Sequence, residues 1–113
     1  MPFRVYYLDD EPDLCEIMAD ILSSTAVTVE TFQDVASLLS RCEKVKPDLV
    51  FLDYRLPGTT GDEVAQKLDP TIPKVLITGD IQVQTTYQFI AVLEKPTKDK
   101  DLFALIAQVK KVD

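Results

Sequence analysis

The sequence predicts a single α/β domain, a (βα)5 unit built on a doubly wound parallel sheet. Two observations point there. Short apolar runs alternate five times with stretches of helical periodicity along 113 residues. The central runs are apolar throughout, as strands covered on both faces by crossover helices are. No linker, repeat or low-complexity segment interrupts the alternation.

Arg4–Leu8 (RVYYL) reads as the first strand and stops at Asp9 and Asp10. Pro12 suits a first helical turn, where an N–H is unpaired anyway, and Leu14, Ile17, Met18, Ile21 and Leu22 recur at helical spacing. Val27–Phe32 (VTVETF) alternates apolar and polar residues, as an exposed or edge strand does. Asp34 can cap the next helix, whose apolar stripe is Val35, Leu38, Leu39 and Cys42.

Leu49–Leu52 (LVFL) is a fully apolar strand ending at Asp53. Pro57, Gly58 and Gly61 mark a turn-rich loop before a short helix with Val64, Ala65 and Leu68 inward, which Asp69, Pro70 and Pro73 break. Lys74–Ile77 (KVLI) is the fourth strand, ending at Thr78 and Gly79. The segment DIQVQTTYQF is weakly patterned. Ile90–Leu93 reads as a fifth strand buried on both faces, closed by Lys95 and Pro96, and Leu102, Leu105, Ile106 and Val109 mark a final amphipathic helix.

Composition narrows the function. A net charge of −7 argues against nucleic-acid binding, because little offsets phosphate repulsion. No apolar run approaches the ~20 residues that span a bilayer. With no histidine in the chain, a zinc site and a Ser-His or Cys-His nucleophile are excluded. Cys15 and Cys42, inside predicted helices and without CxxC spacing, read as free core thiols of a reducing compartment, the cytoplasm.

In a doubly wound sheet, chemistry belongs at the carboxyl ends of the strands. Those ends carry Asp9 and Asp10, then Asp53, Thr78 and Lys95. If the first and third strands are neighbours, three carboxylates converge and repel one another unless they take up a proton or bind a cation. A hard divalent ion, Mg²⁺ first and Mn²⁺ second, is the natural partner. Together with a lysine and a hydroxyl these are the parts phosphoryl transfer requires, with Asp53 as the oxygen nucleophile. Each piece has an ordinary reading too: acids at a helix start, an aspartate before a turn, a Thr-Gly turn. Their joint arrival at four strand ends favours the functional one.

The ordered set YLDDEPD, FLDYRLPGTTG, LITGD and LEKP resembles the receiver domain of two-component response regulators over essentially the whole chain. The resemblance implies a flavodoxin-like sheet of order 2-1-3-4-5 and one receiver domain spanning 1–113 without an output domain. It implies Asp53 as phosphoacceptor for a histidine kinase or phosphotransfer protein. Asp9 and Asp10, with Asp53 and the main-chain carbonyl of Arg55, would hold Mg²⁺. Thr78 and Lys95 would contact the phosphoryl group, with the main-chain amides of Arg55 and Gly79, and Lys95-Pro96 would be a cis bond. The chain would catalyse its own phosphorylation and dephosphorylation and would not turn over an external substrate. It would pass the signal to an effector protein, with no nucleic-acid or membrane partner.

Three departures stand out. Val92 occupies the switch position where the family usually has Tyr or Phe. The Thr78–Lys95 interval is short, so a shortened fourth helix of about two turns is expected. Thr97 follows Pro96 where an aromatic is frequent. These departures imply atypical output coupling; the shortened helix and Val92 favour an alternative, a pseudo-receiver that binds partners without phosphorylation, which the complete acid, threonine and lysine set opposes. Tyr87 and Phe89 read first as packing residues, with substitution for the missing aromatic as the alternative. Arg55 and Asp80, each two positions beyond a site residue, are expected to pair beside the phosphoryl group and modulate its hydrolysis. A nucleotide-binding domain is excluded by the acidic first loop without GxGxxG or P-loop, and a haloacid-dehalogenase-type phosphatase by the lack of its two-aspartate spacing after strand one.

Overall fold

The computed structural model describes residues 2–80, 83 and 85–110. Five strands form one parallel sheet: β1 (Arg4–Leu8), β2 (Thr28–Phe32), β3 (Leu49–Asp53), β4 (Lys74–Thr78) and β5 (Ala91–Glu94). Their order is β2-β1-β3-β4-β5. Helices α1 (Pro12–Ser23), α2 (Val35–Lys44), α3 (Gly61–Lys67) and α4 (Asp99–Lys110) cover the two faces. Arg55–Leu56 and Thr59–Thr60 add a small antiparallel hairpin after β3. Pro57 and Gly58 form its tip, and Gly58 adopts φ +74°, a conformation glycine takes without steric cost.

Local chemistry explains these boundaries. Pro12 opens α1, and Asp34 accepts from Ser37 N at 2.8 Å to cap α2. Thr60 caps α3 through Glu63 N. Side chains alternating along the strands build two cores. Val5, Tyr7, Phe51, Val75 and Ile77 pack against α1 and α4, whereas Tyr6, Leu8, Val50 and Leu52 pack against α2 and α3. Each fully buried Leu or Phe contributes roughly 1.5–3 kcal/mol relative to exposure, so the central strands dominate the stability. Cys15 is buried, Cys42 half-buried, and both are free thiols.

Strand five differs from its expected form. It starts at Ala91, and only Ala91 and Leu93 turn toward the α1/α4 core. Ile90 and Val92 are exposed, so the run is not buried on both faces. It is an edge strand, and no helix occurs among the described residues of the connection that precedes it, namely 79, 80, 83 and 85–90. The shortened fourth helix expected in this connection otherwise falls on residues 81, 82 and 84, outside the described ones. Tyr87 and Phe89 do pack: their ring centroids lie 4.9 Å apart, and both rest against the α2/α3 core. Thr85 accepts from Tyr87 N through its hydroxyl, a turn that competes with helix.

Candidate functional site at the strand ends

The parallel register levels the carboxyl ends of the strands. Leu8 pairs with Leu52, Asp53 with Ile77 and Thr78 with Glu94, and Lys95 N donates to Thr78 O at 2.8 Å. Asp9, Asp53, Thr78 and Lys95 therefore share one rim. Asp9, Asp53 and Thr78 are buried, whereas Asp10 faces solvent. Lys95-Pro96 is cis.

Lys95 Nζ lies 3.0 Å from Asp53 Oδ1 and 3.6 Å from Asp9 Oδ2. Burial works against the lysine's charge, but the bond to Asp53 and the charges of Asp53 and Asp9 outweigh it and raise its pKa. Burial pushes the Asp53 carboxyl up to about 6; the bond from Lys95 pulls it down, and the Asp9 charge pushes it up. Thr78 Oγ1 accepts from Asp80 N at 2.9 Å, which leaves its own proton for another acceptor.

One oxygen each from Asp9, Asp10 and Asp53 lie within 4.8 Å of one another. Three converging carboxylates fit a hard divalent cation, and exposed Asp10 leaves room for its waters. The hairpin after β3 follows directly on Asp53. Gly61 N donates to Tyr54 O at 2.8 Å, which marks that pair as hydrogen-bonded and the next one, Arg55 with Thr60, as the alternate non-bonded pair. The Arg55 carbonyl is thus not consumed by the ladder. Gly61 also sits so close that a Cβ there would meet Asp53 O at 2.7 Å.

The side chain of Arg55 pairs with Asp80 at 2.6 Å, as the spacing predicts. Tyr7 was not foreseen. Its hydroxyl donates to Asp9 Oδ2 at 2.7 Å, and burial, followed by that bond and then the Asp9 charge, pushes its pKa far above the usual value. The signal lay in strand periodicity: two residues before Asp9, Tyr7 points to the same face.

Comparison with known proteins fits this geometry. The family model of the response regulator receiver domain matches residues 5–107. The chain belongs to the response regulator receiver family. Among its relatives is the DNA-binding response regulator MtrA of Mycolicibacterium smegmatis, 30% identical over 113 residues, covering 91% of this chain and 48% of MtrA. The nitrogen assimilation regulatory protein NtrX of Azorhizobium caulinodans is 29% identical over 109 residues, 85% of this chain and 23% of NtrX. The chain thus spans about half or less of the length of these relatives. Of solved structures, a CheY-like receiver domain from Methanospirillum hungatei superposes with TM-score 0.87 at 23% identity, covering 98% of this chain and 96% of that one. TrrA of Thermotoga maritima, solved with Mg²⁺ and BeF, gives TM-score 0.84 at 22% identity over 96% of this chain and 99% of that one. At these identities the likeness is one of fold. Membership makes the chain a signalling receiver of two-component systems, a class distinct from enzymes that turn over an external substrate. No described helix is long and apolar enough to cross a membrane.

Proposed function

We propose that this receiver is a phospho-accepting switch charged on Asp53 by a histidine kinase or phosphotransfer protein in the cytoplasm. The observation that carries the reading is Lys95 Nζ at 3.0 Å from Asp53 Oδ1 inside a cluster of three carboxylates. A carboxyl near 6 remains mainly ionised at neutral pH, so Asp53 can act as nucleophile. Its oxygen attacks the phosphorus of a phosphohistidine. The new P–O bond forms as the P–N bond breaks, and the departing imidazole takes up a proton.

Asp9, Asp10, Asp53 and the Arg55 carbonyl would hold Mg²⁺, with Mn²⁺ as a substitute. The bound cation supplies charge neutralisation at the phosphoryl oxygens. Lys95 and the Thr78 proton hold another of those oxygens, and the main-chain amides of Arg55 and Gly79 complete the cradle. Arg55 and Asp80, joined as an ion pair, restrict water's approach to the acyl phosphate.

Output coupling is atypical in this reading, because the switch position holds an exposed Val92 beside a connection with no helix among its described residues. The same observation favours a second reading, an interaction module that works without phosphorylation. The acidic net charge supports a protein effector over nucleic acid. Incubation with Mg²⁺ and acetyl phosphate or beryllofluoride separates the two readings. An adduct in the wild type that is lost in Asp53→Asn is expected; a folded wild type that forms none leaves only the interaction module.

A further inference from the structure

Asp9 is fully buried, and both of its carboxylate oxygens are engaged by the protein itself. Oδ1 accepts from Glu11 N at 3.0 Å, and Oδ2 accepts from the Tyr7 hydroxyl at 2.7 Å. Lys95 Nζ stands 3.6 Å from that same Oδ2 while bonding Asp53 Oδ1 at 3.0 Å. Two donors therefore contend for one oxygen, and the hydroxyl holds the shorter contact. Resting on the phosphoacceptor reading, we propose that Tyr7 is a positioning residue. Its hydroxyl fixes the Asp9 carboxylate and satisfies the oxygen that would otherwise draw Lys95 away from Asp53.

The physics follows from burial. A buried carboxylate oxygen that loses its donor cannot turn to bulk water and takes the nearest remaining one. Lys95 is that donor, on a flexible stem, and it needs to move less than about 1 Å to reach charge-assisted bonding distance. Lodged on Asp9, the ammonium would oppose a cation at the carboxylates and would leave the phosphoacceptor without its partner. The Tyr7 ring, 2% exposed, fills the α1/α4 core whether or not it carries the hydroxyl. Tyr7→Phe accordingly removes one oxygen and keeps the packing.

The test is Mg²⁺ titration by calorimetry on the full chain, with wild type, Tyr7→Phe, Lys95→Met and the double variant. Tyr7→Phe should bind Mg²⁺ on the order of tenfold more weakly, the usual scale for losing a partner that orients a metal ligand. With Lys95→Met the competitor is gone, and the added effect of Tyr7→Phe should fall to within about twofold. Wild-type-like affinity in Tyr7→Phe, or an equal loss in both backgrounds, overturns the inference alone. A wild type that binds no Mg²⁺ overturns the phosphoacceptor reading and this inference with it.

Discussion

Arg55 and Asp80 meet at 2.6 Å, yet their side chains are 77% and 37% exposed. A pair so open to solvent contributes less than about 1 kcal/mol to stability, so its value must be sought in kinetics. Each residue sits two positions beyond a proposed phosphoryl contact, and the proposed function sets the pair in the path of water. Arg55→Ala and Asp80→Ala should each shorten the lifetime of the Asp53 acyl phosphate while leaving urea midpoints nearly unchanged. Decay of radiolabelled protein measures this, and lifetimes equal to wild type would remove the role. This pair was legible because residue spacing past two strand ends fixes position closely. Tyr7 was not, because an aromatic in an apolar strand reads as core, and it is core; only its hydroxyl's partner adds the rest.

At the scale of elements, described residues of the connection from β4 to β5 are anchored by a buried lysine. Lys74, buried at the start of β4, donates to Asp69 O at 2.9 Å and Ile72 O at 3.0 Å, and its ammonium lies 5.2 Å from the Tyr87 ring centroid. Ile90 N donates back to Lys74 O at 2.9 Å. One side chain thus ties the loop after α3 to the approach of β5. Lys74→Ala leaves two carbonyls without a donor beside a void and should cost about 3 kcal/mol in urea unfolding. A double-mutant cycle with Tyr87→Ala should show coupling of about 1 kcal/mol from the cation–π contact, and additive losses would argue against it. The central strands, α1 and the Asp34 cap were legible because period and capping chemistry are local. The exposure of Ile90 and Val92 was not, since four apolar residues in a row look alike on an edge and in the middle of a sheet. What separates the two cases is whether a helix covers them, and that depends on a connection with little pattern of its own.

At the scale of the molecule, the three carboxylates meet only in the folded chain, so a cation that binds them stabilises folded over unfolded protein. Mg²⁺ at a hundredfold excess over its dissociation constant should add about 2.7 kcal/mol, seen as a rise in Tm that chelation reverses. Asp10→Asn should reduce the rise by removing one ligand while leaving the core intact, since Asp10 faces solvent. A Tm indifferent to Mg²⁺ would show that the cluster holds no cation.

The strand ends that form the rim are scattered through the chain. Asp9 and Lys95 stand 86 positions apart (95 − 9), and four different strands must pair before they and Asp53 meet. Contacts of such long sequence separation form late and together, because loop closure has to precede them. A half-finished chain carries Asp9, Asp10 and Asp53 but not the lysine. On the proposed reading, competence to accept a phosphoryl group therefore requires that these four strands have paired, and a donor drawing on a mixed pool would load such molecules and pass over the rest.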